Sequence, residues 1–410
     1  MKVFDAILIT ETSPVPVSVS SLVHALTDKP SASVTVDPEP IPADLVLALA
    51  TVSDPRARRG RRHRFSAVLG LAVCAVMAGA RSYVAIAEWA HDLTPAMRLR
   101  LGLGRAAPSE TTLRRVLQRT DPVQLDEVLS RWVTARTGPT PCPPTSPTSP
   151  ARRPVIAVDG KTARGARIGE GRAVHLLAAL DTGTGVVLGQ AVVDGKTNEI
   201  NAFSPLLDRI DIAGAIVTAD AMHTQRGHVS YLNGRGAHYL LTVKGNQPTL
   251  HKQLRALPWK EVPAADVTMN KGHSRVESRS VKITTLKAGI AFPNAAQAIQ
   301  ITRRRRALGA TRWSSETVYL ITDLTPEQTT PAELADAIRA HWGIENRLHW
   351  IRDVTFGEDL SQIRTGHGPV VMASLRNLAI SVHRKAGATN IAAANRHVSR
   401  HPNRILPLIT

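Results

Sequence analysis

The stretch PVIAVDGKTARG, residues 154–165, constrains the possible fold more than any other part of the sequence. Its apolar run, residues 155–158, is typical of a buried strand, yet the run ends at Asp159. A second apolar run, GAIVTAD, has the same form and ends at Asp220. A carboxylate at the end of a buried strand is costly unless a positive group lies beside it. The sequence therefore predicts core strands that lead to acidic side chains with a cation between them.

The order of strands and helices after residue 154 predicts an α/β fold. Three strands come first, VIAV, VHLLAAL and VVLGQAVV, and the last two flank DTGTG, a hairpin turn. A helix, the strand GAIVTAD, a second helix and the strand HYLLTVKG follow. Residues of about 265–325 alternate again and predict an inserted β subdomain. It contains four successive arginines, residues 303–306, of which at least half are available to a phosphate backbone or to water.

A long helical segment, TPAELADAIRAHWGIENRLHWIRDV, carries a third acid on its predicted inner face. Positions spaced by four and three along one stripe are Leu334, Ile338, His341, Glu345, Leu348 and Arg352. A competing acidic cluster, Asp353, Glu358 and Asp359, lies near the end of this helix. We prefer Glu345 as the third acid because it interrupts the apolar stripe. A last amphipathic helix, at about residues 369–383, is expected to cover the sheet.

Burial of Asp159, Asp220 and Glu345 together would be prohibitively costly without a cation between them. Hard divalent cations bind oxygen ligands, and Mg²⁺ takes one or two carboxylates, several waters and substrate phosphates. Two such ions about 3.5–4 Å apart can activate an attacking oxygen and stabilise a leaving one. The sequence thus predicts a site for two Mg²⁺ ions, with Mn²⁺ as a substitute. The alternative, that each acid is a helix cap or part of a surface ion pair, stays open for any single one.

The charge balance predicts a polyanionic partner. The 410 residues include 51 Lys and Arg against 33 Asp and Glu, a formal net charge of +18. Phosphates that such residues neutralise release condensed counterions, so nucleic acid is the first candidate. An anionic membrane surface is the rival, but it would favour a basic amphipathic helix with aromatic anchors. Here the arginines are spread along the whole chain, which favours DNA and no membrane partner.

Cysteine usage and the amino terminus favour a cytoplasmic location. Cys74 and Cys142 give neither a disulfide framework nor a metal-ligand spacing, so a reducing compartment is expected. The start, MKVFDAILITETSPVP, has an acid within its apolar stretch and no small-residue cleavage pattern. The apolar run of residues 65–80 is shorter than the roughly 20 residues that a bilayer requires, and it predicts a buried helix.

The chain before residue 154 predicts three further segments. Residues 1–42 are rich in Ser, Pro, Val and Thr and indicate a poorly ordered extension. Residues 43–136 have helical periodicity throughout and predict a helical, DNA-binding domain. Residues 137–153 contain too many prolines for a helix or a central strand and indicate a linker.

One helix of the amino-terminal domain, PSETTLRRVLQRT, has the features of a DNA-reading helix. Ser109 is a plausible N-cap, Glu110 lies in the first turn, and Arg114 and Arg115 follow on the exposed side. Such a helix resembles a recognition helix that enters a groove of DNA. A capped surface helix with solvated arginines is the alternative, and the sequence leaves both open.

Basic side chains concentrate at several places where phosphate could bind. The stretch DPRARRGRRHR contains Arg56, Arg58, Arg59, Arg61, Arg62 and Arg64. That density favours contact with DNA phosphates over a purely solvated charge run. Lysines that follow strands or lie in the turns between them are Lys161, Lys196 and Lys244. For these the sequence leaves phosphate binding and simple solvation open.

Six stretches resemble those of DDE-type insertion-sequence transposases, specifically the H-repeat-associated group. They are AVDGKTARG, VHLLAALDTGTGVVLGQ, KTNEINAFSPLLDRIDI, VTADAMHTQ, GAHYLLTVKGNQP and HWGIENRLHWIRDVTFGEDLSQIRTG. The similarity extends from about residue 45 to the end and includes DPRARRGRRHR and PSETTLRRVL. Six motifs in the expected order are far more specific than any single pattern.

The resemblance implies a ribonuclease H-like catalytic core over residues 154–395, with a β insertion between the second and third acids. The DDE triad of the family maps onto Asp159, Asp220 and Glu345, the residues that the strand order also indicates. Residues 396–410 are then a basic carboxyl-terminal tail.

The chain departs from the wider superfamily around the third acid. The superfamily has a Tyr and an Arg before the Glu and a Lys seven residues after it, whereas this chain has Ile338, His341 and Arg352. Arg352 keeps the charge and is expected to hold a phosphate, although Arg and Lys are not equivalent at such sites. His341 is expected either to orient a water or the DNA ends or to pack in the core.

The function that these observations predict is metal-dependent DNA transposition. The protein would bind the terminal inverted repeats of double-stranded DNA, cut by water attack and join the freed 3′-hydroxyl to target DNA. The resemblance also implies a homo-oligomer that brings two DNA ends together. Two alternatives are a structure-selective nuclease without strand transfer and a DNA-binding relic without catalysis. The three intact acids disfavour the relic.

Overall fold

The computed structural model describes residues 44–136, 153–168, 172–193, 199–272, 274–286 and 289–410. The described chain divides into two compact units. The first, called the α/β unit, comprises residues 44–241 and Asp336–Thr410, and the second, called the β unit, comprises Thr242–Ala335. The predicted extension, nearly all of the predicted linker and Lys196 lie outside the described residues.

The α/β unit contains a mixed sheet of the ribonuclease H-like type that the sequence predicted. Its strands are β1 (Val155–Ile168), β2 (Arg172–Asp181), β3 (Val186–Val193), β4 (Ile216–Ala219) and β5 (His238–Val243). Their order across the sheet is β3-β2-β1-β4-β5. The pairs β1–β2 and β2–β3 are antiparallel, whereas β1–β4 and β4–β5 are parallel. The carboxyl ends of β4 and β5 and the middle of β1 therefore lie along one edge of the sheet.

The first strand is longer than the sequence indicated. It runs from Val155 to Ile168, so Asp159 lies within β1, opposite Ala178 of β2, and not at its end. The apolar run marks only the part of β1 that has neighbours on both sides, because pairing with β4 ends at Val158. Beyond that point β1 continues with β2 alone, and its side chains alternate between buried and exposed.

Helices precede, connect and cover the strands. They are α1 (Asp44–Leu49), α2 (Phe65–Met77), α3 (Tyr83–Asp92), α4 (Pro95–Arg100), α5 (Glu110–Arg119), α6 (Pro122–Ala135), α7 (Glu199–Leu207), α8 (Arg226–Gly234), α9 (Pro248–Arg255), α10 (Pro331–His341), α11 (Gly368–Lys385), α12 (Ile391–Arg400) and α13 (Leu406–Ile409). The apolar run at residues 65–80 forms α2, which is buried along almost its whole length. Of the helices in the described ranges, none combines the length and apolar character needed to cross a bilayer.

The amino-terminal helices share one core with the sheet. Side chains of α2, α3, α5, α6 and α11 form a single apolar cluster that also includes Ala178, Leu180 and Val186 from β2 and β3. A buried carboxylate, Asp126 of α6, accepts a hydrogen bond from the backbone N–H of Gln190 in β3 at 2.9 Å. Residues 44–136 therefore do not form a core of their own, in contrast to the separate helical domain that the sequence predicted.

The carboxyl-terminal residues also differ from the prediction. Instead of a basic tail, residues 396–410 complete α12, form the short 3-10 turn Pro402–Ile405 and end in α13. Ile405, Leu406 and Ile409 are buried in the same apolar cluster. Arg404, which precedes them, stays partly exposed and donates to the carbonyl of His397, so these apolar side chains are buried without burying its charge.

The β unit contains the predicted β subdomain, and its strands span nearly the range that the sequence indicated, about residues 265–325. Its antiparallel strands are β6 (Ala264–Gly272), β7 (Arg275–Thr285), β8 (Gln297–Ala307) and β9 (Ser314–Thr322). The four successive arginines end β8 and alternate between its faces. Arg303 is buried in an ion pair with Glu277, Arg304 is exposed, and Arg306 lies over the Trp313 ring.

A buried cluster of charges joins α11 to the segment before it. Arg352 has no exposed surface and forms a bidentate ion pair with Glu358, at 2.9 and 3.0 Å. Arg376 of α11 donates to the same carboxylate at 2.9 Å. Burial by itself raises the pKa of Glu358, but the two guanidinium groups more than offset this and lower it to about 2. The prediction that Arg352 binds phosphate is therefore corrected, because its guanidinium has no path to solvent.

Replacing Glu358 by Ala is expected to leave two buried guanidinium groups without their counter-charge. Removing one partner of a buried ion pair typically costs about 3–5 kcal/mol of unfolding free energy. Urea unfolding of Glu358→Ala measures this loss, and Leu360→Ala, at a side chain that is 83% exposed, serves as the control. Because the folded-state pKa is depressed, the stabilisation is present above pH 4.5 and is lost as pH falls toward 2. Equal stability of the two variants would contradict this assignment.

Candidate active site

Asp159 and Asp220 occupy equivalent levels of two adjacent parallel strands. Val158 of β1 pairs with Ala219 of β4, so each aspartate is the next residue along strands that are about 4.8 Å apart. Oδ1 of Asp220 accepts a hydrogen bond of 2.9 Å from the backbone N–H of Met222 and caps the 3-10 turn Ala221–His223. Burial raises the pKa of Asp159, and the charges of Glu345 and Asp220 raise it further. Strand pairing thus brings two of the predicted acids together.

Glu345 reaches the same site from the segment that follows α10. This segment forms two π-helical turns, Glu345–His349 and Ile351–Thr355. π-Helical turns are rare in proteins, and those that do occur are often found at functional sites. The Glu345 side chain is 60% exposed, whereas Leu348 is fully buried, so the prediction of an inward-facing Glu345 was wrong. Its carboxylate lies at the border between Asp159 and solvent, where a substrate can approach.

His349 is a candidate site residue that the sequence analysis missed. Its ring is buried, and Nδ1 lies 3.5 Å from Oδ2 of Asp159 and 3.4 Å from Oε2 of Glu345. Burial lowers the pKa of His349, which favours the neutral imidazole. Contact with His349 in turn lowers the pKa of Glu345. The available signal was the four-residue spacing of Glu345 and His349, which places both on one helical face.

His341 contacts the strand that carries Asp220. Its ring is half-buried, and Nδ1 lies 3.0 Å from Oγ1 of Thr218 in β4. Its charge contributes to lowering the pKa of Glu345, so His341 is near the acids without being packed in the core. A role in orienting a water or the DNA ends stays a prediction.

Lys161 neutralises the acidic cluster that competed with Glu345. Lys161 is buried, and its Nζ lies 2.7 Å from Oδ1 of Asp353, 3.4 Å from Oδ1 of Asp359 and 3.8 Å from Oε2 of Glu358. A lysine held by three carboxylates is not available to a phosphate, so the predicted phosphate contact of Lys161 is corrected. The competing acids are paired with cations, whereas the carboxylates around Asp159 have no lysine or arginine among their described ion-pair partners.

A second buried carboxylate lies beside the acids. Glu199, at the start of α7, accepts from Nε2 of His175 at 2.6 Å and lies 3.4 Å from Nε2 of His223. Burial raises the pKa of Glu199, but the two histidines more than offset this and lower it overall. The Glu199 carboxylate lies against the backbone of Gly160, and its charge also raises the pKa of Asp159. Glu199 and its two histidine partners therefore pack against β1 at Gly160, the residue next to Asp159.

The donor set at Asp159 fits a divalent cation. One ligand atom each from Asp159, Glu345 and His349 lie within 4.8 Å of one another, and Asp220 adds a further carboxylate at the same level of the sheet. Carboxylate oxygens are the preferred ligands of Mg²⁺ and Mn²⁺. A bound cation would also relieve the repulsion that raises the pKa of Asp159.

The arginines of the stretch DPRARRGRRHR, which were predicted to contact DNA, lie in the α/β unit. Their side chains differ in exposure. Asp54 forms a bidentate ion pair with Arg56 at 2.9 Å and contacts Arg61 at 3.2 Å. These two arginines therefore stabilise the conformation of the loop. Arg58, Arg59, Arg62 and Arg64 are also exposed. The loop lines an open groove of about 640 Å³.

The remaining predicted basic contacts lie on α5 and after β5. Ser109 caps α5, as predicted, because its Oγ accepts from the backbone N–H of Thr112. Arg114 is 52% exposed and pairs with Glu110, and Arg115 is exposed beside it. Lys244 follows β5 directly in the β unit and is half-buried. Their contact with DNA stays a prediction.

Comparison with known proteins matches two ranges of the chain to protein families. Residues 150–382 match the family described as "Transposase DDE domain", and residues 46–133 match the family described as "DDE_Tnp_1-associated". The chain is 28% identical over 356 residues to "Putative transposase YncI" of Escherichia coli O157:H7, covering 82% of this chain and 86% of that protein. It is 28% identical over 345 residues to "H repeat-associated putative transposase YhhI" of Escherichia coli strain K12, covering 82% and 88%.

Among solved structures, the chain is similar to "Cryo-EM structure of piggyBac transposase synaptic complex with hairpin DNA (SNHP)". The TM-score is 0.40 at 9% identity, over 88% of this chain and 78% of that one. A similarity at this level is too weak to assign a function.

Replacing Gly160 by Ala is expected to disturb the support of Asp159. A Cβ at this position would lie 2.4 Å from Cδ of Glu199, closer than packed atoms allow. Overpacking of this kind typically costs about 1–3 kcal/mol, which urea unfolding measures. Gly227→Ala, where the added Cβ meets no atom within 4 Å, is the control and should be neutral or stabilising. The double variant with Glu199→Ala should lose less than the sum of the single variants, and strict additivity would contradict the proposed contact.

Proposed function

Because the chain belongs to the transposase DDE domain family, we propose that it is the DNA transposase of an insertion sequence. It binds the terminal inverted repeats of the element and catalyses metal-dependent phosphodiester hydrolysis, followed by transfer of the freed 3′-hydroxyl to target DNA. What supports this proposal is the cluster of Asp159 in β1 with Glu345 in the π-helical segment, together with Asp220, which follows β4 at the level of Asp159.

The roles of the acids follow from their positions. Asp159 and Glu345 would hold a divalent cation between them, and Asp220 would add its free oxygen, since its Oδ1 already caps the turn after β4. Mg²⁺ or Mn²⁺, when bound as a pair, supplies Lewis-acid stabilisation of the attacking and leaving oxygens. The exposed Glu345 carboxylate marks the side from which the scissile phosphate enters.

DNA binding outside the acids is assigned to the arginine loop and α5. The exposed guanidinium groups of Arg58, Arg59, Arg62 and Arg64 project from one loop that Asp54 holds through Arg56. Exposed arginines without a carboxylate partner gain most from a phosphate, because neutralised phosphates release counterions. We assign to them the sequence-independent part of binding to the element ends. Arg114 and Arg115 on α5 are the candidates for contacts in a groove.

Protein and Mg²⁺ or Mn²⁺ added to supercoiled plasmid with the terminal inverted repeats should nick the DNA at the element ends. Asp159→Asn removes a cation ligand while keeping the side-chain shape, so the rate should fall at least about a hundredfold. Asp208→Asn, at a half-exposed carboxylate that pairs with Arg235, is the matched control and should retain cleavage. Gel analysis of nicked and linear DNA measures both rates.

A joining assay with pre-cut ends tests strand transfer separately from cleavage. Joined products support a transposase, whereas cleavage without joining supports a structure-selective nuclease. Undiminished cleavage by Asp159→Asn, or the absence of cleavage by the wild-type chain, would overturn the proposed catalytic site.

Replacing Arg58, Arg59, Arg62 and Arg64 together by Ala should weaken binding to DNA and flatten its salt dependence. The slope of log K against log salt should decrease by about 0.9 for each phosphate contact that is lost. Fluorescence anisotropy of labelled duplex over a range of salt concentrations measures the slope. The same four positions replaced by Lys keep the charge and should keep most of the slope. If the Ala variant retains the wild-type slope, the loop does not contact DNA.

A further inference from the structure

We propose that His349 is a direct ligand of the cation that Asp159 and Glu345 hold, through its Nδ1, and that this ligand makes the site prefer Mn²⁺ to Mg²⁺. The inference deepens the proposed function and rests on it, because it concerns the same cation site. It adds a nitrogen ligand to a set of acids that would otherwise supply oxygen alone.

The distances around Nδ1 fit a shared cation. Nδ1 lies 3.5 Å from Oδ2 of Asp159 and 3.4 Å from Oε2 of Glu345. Both exceed the usual N–H···O distance of about 2.7–3.2 Å. Ligand atoms that bind one ion at about 2.0–2.2 Å are separated by about 3.0–3.5 Å when the angle between them is about 90–110°. Nδ1 therefore lies at the spacing of a neighbouring ligand from each of the two carboxylate oxygens.

The contacts of the Nδ1 atom set the orientation of the His349 ring. His349 is 4% exposed, so water cannot solvate the ring freely. Within the described part of the chain, Nε2 is buried and meets no hydrogen-bond partner. The polar group that the ring meets is thus the carboxylate pair at Nδ1. A buried imidazole that points one nitrogen at two carboxylates is the arrangement that a cation bound between these atoms would explain.

The backbone holds Nδ1 of His349 beside Asp159 and Glu345, so the acids need not move for all three residues to bind one cation. Glu345 and His349 belong to one π-helical turn, Glu345–His349, which projects both side chains toward β1. Asp159 faces them from the strand, and its position is fixed by pairing with β2 and by the Glu199 carboxylate behind Gly160. The three ligands come from rigid elements, which suits a site that must hold an ion before DNA arrives.

An imidazole ligand changes which ion the site prefers. Mg²⁺ binds oxygen ligands and dehydrates reluctantly, whereas Mn²⁺, a transition-metal ion, binds imidazole nitrogen as well as carboxylate oxygen. Affinity of such sites for divalent ions rises along the first transition series from Mn²⁺ to Cu²⁺. A site of two carboxylates and one imidazole should thus bind Mn²⁺ at least about tenfold more tightly than Mg²⁺, and removal of the imidazole should narrow that ratio.

Pulsed electron paramagnetic resonance on the wild-type protein with Mn²⁺ tests the ligand directly. Bound Mn²⁺ should show electron-spin-echo modulation from a coordinated ¹⁴N nucleus, and protein labelled with ¹⁵N only in histidine should show the ¹⁵N pattern instead. This measurement needs no substitution, so a failure of a variant to fold cannot obscure it. Bound Mn²⁺ without nitrogen coupling would overturn the inference and would leave His349 as a hydrogen-bond donor to the acids.

Two histidine variants identify which ring is the ligand. His349→Gln should abolish the nitrogen coupling, lower Mn²⁺ affinity at least about tenfold and change Mg²⁺ affinity less, as measured by competition against Mn²⁺. His341→Gln is the matched control, because His341 lies near the same acids but contacts Thr218. It should keep the coupling. Loss of the coupling in His341→Gln, or its retention in His349→Gln, would contradict the assignment to His349.

The outcomes separate this inference from the proposed function. DNA cleavage by a protein whose Mn²⁺ lacks nitrogen coupling would support the transposase and overturn the ligand. Nitrogen coupling in a protein that never cleaves DNA with terminal repeats would support the ligand and overturn the transposase. Absence of any bound Mn²⁺ at these residues would overturn both.

Discussion

Electrostatic repulsion among Asp159, Asp220 and Glu345 is the constraint on which the rest of the site depends. The parallel pairing of β1 and β4 places two of these carboxylates on adjacent strands, and the sheet cannot separate them without losing that pairing. Burial makes the repulsion stronger, because less water screens the charges, and both effects raise the pKa of Asp159. A divalent cation bound between them would relieve this repulsion.

The chain places its own positive groups elsewhere. Lys161 lies two residues after Asp159 on the same face of β1, yet it is held by Asp353 and its neighbours. Arg352 and Arg376 are held by Glu358. Each of these acids is thus matched by a lysine or an arginine, whereas the described ion-pair partner of Asp159 and Glu345 is the ring of His349. This division of charge distinguishes the candidate site from the acidic cluster beside it.

The sequence predicted the structure correctly where the structure depends on residues that are neighbours in the chain. Apolar runs that lead to Asp159 and Asp220 predicted the two strands, and the structure shows that these strands pair in parallel. The helical segment around Glu345 was also predictable, but its inner face was not, since π-helical turns change the angle between successive side chains. A periodicity of 3.6 residues therefore assigned the wrong orientation to Glu345.

Long-range pairing accounts for the other differences. The acids that hold Lys161 lie far away in sequence, and Arg352, which pairs with the nearby Glu358, also donates to the distant Gln190. No local pattern shows that a basic side chain will be buried against such partners. The extension of β1 beyond Asp159 depends on β2, and the merging of the amino-terminal helices with the sheet depends on apolar faces meeting in space. His349 had a readable spacing from Glu345, but its significance depends on the nearness of β1.

The contacts between β1 and residues 345–359 follow a common spacing. His349 meets Asp159, and Asp353, four residues later, meets Lys161, two residues later on the strand. Two strand residues advance about 6.6 Å, and the helical segment brings His349 and Asp353 opposite two residues with this separation. The length of this helical segment is thus as much a determinant of the site as any side chain in it. Loss or gain of a single residue there would displace every polar pair at once, whereas a point substitution affects only one.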